Sequence, residues 1–189
     1  MRIFGIDPGS ERTGYGCVET DGRRYRLVTC GAITAAPADA FPQRLARIYR
    51  ELAAQLSACR PDCVAIENLF HAVNARSALL LGHARGVAML AAVEANCTVV
   101  EYTPAEVKRA VVGYGRADKN QVQQMIKLLL GLDEAPSPHD AADALAVAIC
   151  HLHSMPTYAA VVARPPAGRR RPAAAGLKSW RQYRPPANG

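Results

Sequence analysis

The sequence predicts an α/β fold in which a mixed sheet of about five strands is flanked by helices. Three apolar strands come first, at residues 2–7, 14–20 and 25–34, and an Asp21-Gly22 turn joins the second to the third. Two more short strands, at 63–67 and 98–102, alternate with helical segments. Consecutive strands followed by alternating helices and strands are typical of a sheet with both antiparallel and parallel pairs.

Helices are indicated by apolar residues at helical spacing and by capping residues. Residues 40–59 show one apolar face, and Pro61 follows it. Thr103-Pro104 and Asp118 are start signals for two later helices, the second ending near Leu130. Two further helices are predicted, one over residues 74–96 and one from Ser137-Pro138 through His153.

The charge of the chain is unevenly distributed. It has 23 Lys and Arg against 16 Asp and Glu, and seven of the basic residues lie from Arg164 onward, where no acid occurs. The remainder therefore holds 16 residues of each sign, so a nucleic-acid surface on it has to be a local patch. Composition divides the chain into a folded domain, 1–157, and a basic Pro/Ala/Arg-rich tail, 158–189, which is predicted to be disordered.

Cysteine usage and hydropathy indicate a cytoplasmic protein. None of the six cysteines forms a Cys-x-x-Cys pair, which favours free thiols in a reducing compartment. The N-terminus begins as a strand without a signal-peptide pattern. The longest apolar stretch, 78–95, is broken by His83, Arg85 and Glu94, so it is interpreted as a buried helix and not as a membrane span.

Four acidic residues are the candidate catalytic centre. Asp7 and Glu67 each end an apolar strand, where a carboxylate is costly unless it is paired. Asp140 and Asp143 are three residues apart on a predicted helix, so they share a face. Open α/β sheets place ligands at the ends of their strands, so the four acids are expected to meet there.

Four carboxylates without a thiolate or histidine cluster suit a hard divalent cation, Mg²⁺ or Mn²⁺ in its place. A pair of such ions would clamp the attacking water and the leaving oxygen of a phosphodiester. Taken singly, each acid also has an ordinary structural interpretation: Asp143 as a solvated helix residue, or Asp7 as a turn residue before Pro8-Gly9.

Several separate motifs resemble those of the RuvC family of Holliday-junction resolvases. They occur in the family's order and spacing from Met1 to about His153, and they comprise Ile6-Asp7-Pro8-Gly9-Ser10 with Thr13-Gly14, Ile66-Glu67-Asn68-Leu69-Phe70, Gly82-His83-Ala84-Arg85-Gly86, Val111-Val112-Gly113-Tyr114-Gly115 and Asp140-Ala-Ala-Asp143-Ala-Leu. The resemblance implies a ribonuclease H-like fold and a homodimer. It also implies paired, Mg²⁺-dependent nicking of four-way DNA junctions in recombination and repair. RuvA and RuvB are the protein partners that it suggests.

The resemblance also implies roles for individual residues. Asp7, Glu67, Asp140 and Asp143 match the family's metal-binding acids, two ions per subunit being expected. Phe70 matches an aromatic residue that wedges against bases; an ordinary loop or core phenylalanine is the alternative. Lys108 and Lys119 match lysines that contact the junction backbone, and Lys119 is the candidate for stabilising charge at the scissile phosphate. Neighbouring cations complete the expected DNA-binding patch: Arg76, Arg85, Arg109 and Arg116.

Three details remain open on sequence alone. His139 either supports a metal-bound carboxylate or lies exposed in the first turn of its helix, which is favoured. The Gly113-Tyr114-Gly115 segment forms either a backbone nest for phosphate or a helix-ending turn. His151 and His153 lie on different faces of a helix, which argues against a zinc site.

Two other functions compete with junction resolution. An actin-like phosphotransferase has a similar first phosphate loop, but the chain is short for two lobes and lacks a second such loop. A non-catalytic junction-binding protein, or a nuclease for structured RNA, is the second. Carboxylates repel phosphates unless a metal lies between them, so four of them are hard to explain by binding alone.

Overall fold

The computed structural model describes residues 1–68 and 74–162, with side chains described up to residue 155. Five strands form one sheet in the order β3-β2-β1-β4-β5. Their bounds are β1 Arg2–Asp7, β2 Arg12–Thr20, β3 Tyr25–Thr34, β4 Cys63–Glu67 and β5 Thr98–Tyr102. β1 pairs antiparallel with β2 and parallel with β4, so both kinds of pairing meet at the central strand. The predicted mixed α/β sheet is confirmed.

Five helices cover the sheet: α1 Phe41–Cys59, α2 Ala75–Glu94, α3 Pro104–Val112, α4 Lys119–Leu130 and α5 His139–Val162. The expected start signals operate, since Thr103 and Asp118 each form a complete capping box. Gly113 ends α3 in the left-handed conformation (φ 95°), so the Gly-Tyr-Gly segment is a helix-ending turn.

The sheet separates two hydrophobic clusters. Alternate residues of β1 explain this, because Phe4 and Ile6 face α1 and α2 whereas Ile3 faces α3, α4 and α5. α5 is the most deeply buried helix, and its residues from Ala141 to Cys150 lie inside the protein with Asp143 only partly exposed. The six cysteines are free thiols, as the sequence predicts.

The backbone of α5 lies directly against the backbone of the sheet, because two strand residues, Gly5 and Gly14, have no side chain. A Cβ atom on Gly5 would overlap the carbonyl oxygen of Ala144, and one on Gly14 would overlap that of Asp140. On the helix side, the buried residues facing the sheet are mainly alanines. The N-terminal turn of α5 is thereby set directly against the ends of β1 and β2.

Two helices differ from the sequence prediction. α2 is not a buried helix: Ala84, Ala88, Ala91 and Ala92 face the core, while Leu79, Leu90 and Val93 are exposed. Large and small apolar residues alternate along α2, so the sequence does not reveal which face of the helix packs against the core. α2 also has the length and hydropathy of a membrane span, but apolar helices of soluble proteins pass that test as well. α5 continues to Val162 and not only to His153, because residues 157–162 include good helix formers such as Ala159 and Ala160.

By backbone proximity the chain falls into two units, Met1–Pro156 and Thr157–Gly189. The first contains the complete sheet and helices α1–α4. Of the second, only the last residues of α5 are described: residues 158–162 of the predicted disordered tail, 158–189, are helical, and residues 163–189 lie outside the described residues.

The close approach of α5 predicts a strong effect of one added methyl group. Gly5→Ala should lower the free energy of unfolding by about 2–3 kcal/mol, the range expected when a tightly packed interior is overfilled. Gly115→Ala is the matched control, because its Cβ would meet nothing closer than 3.5 Å. Urea denaturation compares the two variants with the parent. Equal midpoints for Gly5→Ala and Gly115→Ala would show that the helix does not depend on the glycine.

Candidate active site

All four predicted acids line one open cavity of about 420 Å³ at the carboxyl ends of β1 and β4. The N-terminal turn of α5 forms one wall, and the starts of α3 and α4 form another. The lining residues are Asp7, Pro8, Gly9, Arg12, Glu67, Pro104, Val107, Lys108, Lys119, Val122, Asp140, Asp143 and Ala146. Four acidic and three basic side chains thus surround one space.

Asp7 and Glu67 lie side by side because β1 and β4 are parallel and in register up to Ile6 and Ile66, the residues just before them. Burial and the neighbouring carboxylates raise the pKa of Asp7 well above its usual value, and burial raises that of Glu67. Two neighbouring carboxyl groups repel one another when both are ionised, and a bound cation would remove that repulsion.

The two α5 acids are paired with cations from opposite sides. Asp143 Oδ2 accepts a hydrogen bond from Lys119 Nζ at 3.1 Å, and Asp140 Oδ2 lies 3.5 Å from Arg12 Nη1. Lys119 is the first residue of α4, and Arg12 is the first residue of β2. The Asp143 carboxylate raises the pKa of Lys119. Asp140, in the first turn of α5, also benefits from the positive end of the helix dipole.

The donor set fits a hard divalent cation. Four carboxylates supply oxygen ligands only, and a bound cation would offset the burial and mutual repulsion that raise the pKa of Asp7. No three His, Cys, Asp or Glu side chains within 1–68 and 74–155 are already arranged to hold one ion. The salt bridges explain this, because Lys119 and Arg12 draw the α5 carboxylates towards the two flanks.

The loop between β1 and β2 is held rigidly beneath the cavity. Thr13, fully buried, donates to the Gly9 carbonyl at 2.8 Å and accepts from the Gly9 amide at 3.3 Å. The buried Arg44 of α1 donates through Nε to the Ser10 carbonyl at 3.0 Å. These contacts fix the path of the chain from Asp7 to Arg12.

A buried hydrogen bond ties β5 to α5 near the acids. Tyr102, opposite Glu67 in the sheet register, bonds through its hydroxyl to His151 Nδ1 at 2.8 Å. His153 Nδ1 instead lies 2.9 Å from the Ala110 carbonyl. Both histidines therefore serve packing contacts and have different partners, as their spacing predicts. His139 is exposed and bonds to Gln123.

The predicted DNA-binding cations are distributed unevenly around the cavity. Lys108 and Lys119 line it, whereas Arg76, Arg85, Arg109 and Arg116 do not. Arg85 of α2 donates to Glu101 of β5 at 2.8 Å, so its charge is partly neutralised. Phe70 lies outside the described residues.

Arg12 is the site residue that sequence reasoning missed. Its charge points into the cavity, opposite Lys119. Its position was the available signal. Arg12 follows the Asp7-Pro8-Gly9-Ser10 turn and begins β2, the antiparallel neighbour of β1, so it lies near the end of β1.

Comparisons with known proteins agree along nearly the whole folded part of the chain. The family model "Crossover junction endodeoxyribonuclease RuvC" matches residues 3–151. A protein of that name from Alkaliphilus oremlandii is 54% identical over 154 residues, covering 82% of this chain and 94% of its own length. Another, from Koribacter versatilis, is 53% identical over 158 residues, covering 83% and 95%.

Solved structures show the same similarity. RuvC from Thermus thermophilus superimposes with a TM-score of 0.77 at 35% identity, covering 84% of this chain and 97% of that one. The same protein in complex with a Holliday junction substrate gives 0.76 at 34% identity, covering 83% and 96%. Agreement in sequence, in fold and in the length matched leads to one conclusion: this chain belongs to the RuvC family of crossover junction endodeoxyribonucleases.

Proposed function

We propose that this protein is a metal-dependent endonuclease that resolves four-way DNA junctions by paired, symmetric nicks. The observation that carries the proposal is the convergence of Asp7, Glu67, Asp140 and Asp143 in one open cavity flanked by cations. A relative of similar sequence has been solved with a Holliday junction substrate. The open cavity also admits a DNA strand from outside, which suits an endonuclease.

Asp7, Glu67, Asp140 and Asp143 would hold the metal, with two Mg²⁺ ions per subunit, or Mn²⁺ in their place. Bound ions of this kind activate the attacking water and stabilise the leaving oxygen of a phosphodiester. The carboxylates of β1 and β4 are fixed by the sheet, so they define the position of the scissile phosphate. Those of α5, which are paired with Arg12 and Lys119, would complete the ligand set.

Lys119 is the residue that would bind the scissile phosphate and stabilise its developing charge. Its side chain is 73% exposed although it is paired with Asp143. An exposed ion pair contributes little to stability, so the lysine ammonium group can leave Asp143 at little cost and bind a phosphate oxygen instead. Lys108 lines the same wall, and Arg76, Arg85, Arg109 and Arg116 would contact DNA further from the cut. Phe70 would stack on an unpaired base.

A second copy of the chain is needed because a four-way junction presents two strands to be nicked symmetrically. The outer face of α2, defined as Leu79, Gly82, Gly86, Leu90 and Val93, is suited to a two-fold contact. Its three large residues are 64%, 51% and 60% exposed. Nothing lies within 4 Å of a Cβ built on either glycine, so a second helix has room to approach closely.

RuvA and RuvB are the protein partners proposed from the family, and the expected compartment is the cytoplasm. The residues from 158 onward would form a basic tail appended to the nuclease domain. Such a tail would add a salt-dependent attraction to phosphates without defining the active site, because all four acids precede it.

The first test separates chemistry from binding. Asp7→Asn should reduce junction cleavage about 100-fold or more, since a metal site supplies several kcal/mol of transition-state stabilisation. Binding to a synthetic junction without divalent ions should be retained, because a repulsive charge is removed. Asp133→Asn, an exposed acid outside the cavity, is the control. Cleavage by Asp7→Asn near the parent's rate would rule out the metal role of Asp7.

The burial of Asp7 also predicts an effect on stability. Because its pKa is raised in the folded protein, ionisation of Asp7 destabilises the fold as pH rises through that pKa. In chelator, Asp7→Asn should therefore melt higher than the parent at neutral pH, by about 2–4 °C per kcal/mol. The difference should vanish below about pH 4, where Asp is protonated even when unfolded.

The same melting experiment is then repeated with added Mg²⁺. The ion should raise the melting temperature of the parent and have less effect on Asp7→Asn, because the variant lacks one ligand. In chelator, a lower melting temperature for Asp7→Asn than for the parent would contradict the proposed destabilisation by ionised Asp7.

The dimer proposal is tested on exposed leucines. Leu90→Asp should convert the dimer to a folded monomer that makes isolated nicks, because it places a charge in the outer face of α2. Leu128→Asp changes a leucine of α4 that is even more exposed than Leu90 and should leave the dimer intact. Sedimentation equilibrium and the ratio of paired to single nicks give the answer. Dimerisation of Leu90→Asp at the parent's affinity would move the interface elsewhere.

A further inference from the structure

Arg12 occupies a position in the cavity that mirrors that of Lys119. Lys119 reaches the Asp143 carboxylate from α4, and Arg12 reaches the Asp140 carboxylate from β2. Asp140 and Asp143 lie in one turn of α5, so the two cations, which come from different elements, are paired with neighbouring acids of one cavity. Lys119 has a role in the proposed chemistry, whereas Arg12 has none so far.

The Arg12–Asp140 contact is too weak to be a structural salt bridge. The nearest atoms, Nη1 and Oδ2, are 3.5 Å apart, and the arginine side chain is 53% exposed. A single long contact leaves most of the five guanidinium N–H donors without a protein partner among the described residues. Exposed pairs of this kind add little to folding stability. The residue is therefore poorly explained as a support for the fold.

The backbone of Arg12, in contrast, is firmly held. Arg12 is paired with Thr34 in the sheet, and the neighbouring Glu11 carbonyl accepts from the Ala35 amide at 2.8 Å. Thr13 and Arg44 fix the loop before it. A flexible, charged head on a rigid base is the arrangement expected of a residue that binds a ligand with little loss of backbone entropy.

The charges of the cavity suggest when the guanidinium becomes available. The cavity is lined by four carboxyl groups and by three cations, Arg12, Lys108 and Lys119, and Arg12 is paired there with Asp140. Divalent ions held by the carboxylates would add positive charge to the cavity. With Asp140 holding an ion, Arg12 would lose its partner and keep its charge, because arginine does not deprotonate.

We propose that Arg12 is a second phosphate-binding residue of the active site: it neutralises Asp140 until a divalent ion binds there and then binds a DNA phosphate on the β2 side of the cavity. The ligand is a phosphodiester, whose oxygens match the paired donors of a guanidinium. The inference rests on the proposed nuclease function and adds a residue to it. It makes Arg12 a competitor of the metal in free protein and a contact to DNA in the loaded complex.

The test uses Arg12→Ala and Arg12→Lys in the full chain, with Arg23→Ala as the matched control. Arg23 is also exposed, and it lies in the turn at the other end of the β2–β3 hairpin. Mn²⁺ binding to the protein without DNA is measured by calorimetry. Single-turnover cleavage of a synthetic junction with saturating Mg²⁺ is measured over a range of protein and salt concentrations.

Arg12→Ala should bind Mn²⁺ more tightly, by up to about fivefold, because an opposing cation is removed. Its half-saturating concentration for the junction should rise, and the slope of log affinity against log salt should become shallower by about one. Arg12→Lys should keep the parent's salt slope and bind the junction more weakly, because lysine has no paired donors. Arg23→Ala should match the parent in Mn²⁺ affinity.

A parental salt slope and parental half-saturation in Arg12→Ala would overturn the proposal, and so would weaker Mn²⁺ binding. If Arg12→Ala melts at the assay temperature, Arg12→Gln, which keeps the length and polarity of the side chain, replaces it under the same criteria. Failure of the parent to cut any junction would refute the nuclease function instead. The Mn²⁺ measurement would still show whether Arg12 opposes the metal.

Discussion

The active site depends on the direct contact between α5 and the sheet. Gly5 and Gly14 have no Cβ atoms, and the helix presents alanines to them, so helix and strand backbones meet without intervening side chains. This contact brings Asp140 and Asp143 to the ends of β1 and β4, where Asp7 and Glu67 already lie. A normal helix–sheet separation of about 10 Å would leave the helix carboxylates too far away to share an ion with the strand carboxylates.

Collecting four acids at one place costs stability, and the chain reduces the cost in two ways. Burial and the neighbouring carboxylates raise the pKa of Asp7, which favours its uncharged form. The two helix acids are each paired with a cation that is more than half exposed. Neither arrangement contributes much to stability. The proposed function requires this, because metal ions and phosphates must be able to displace these contacts.

Much of the fold and the centre of the site were predictable because they depend on short-range patterns. Strand ends follow from apolar runs that stop at an acid, and the shared helix face of Asp140 and Asp143 follows from their spacing. Arg12 was not predictable in this way, since its role depends on an antiparallel pairing that returns β2 to the end of β1. The exposed face of α2 was misjudged because apolar composition does not reveal which side is covered.

Charge alone does not account for recognition of a junction. The chain before Arg164 has as many acids as bases, and the cavity is lined by four acids and three bases. Net charge therefore supplies little long-range attraction to DNA in this part of the protein, and divalent ions held at the four acids would add positive charge at the cavity. Coupling the positive charge to metal binding would restrict tight phosphate contact to the cavity. In the proposed dimer, discrimination between duplex and junction would depend on where the two cavities lie, which is a property of shape.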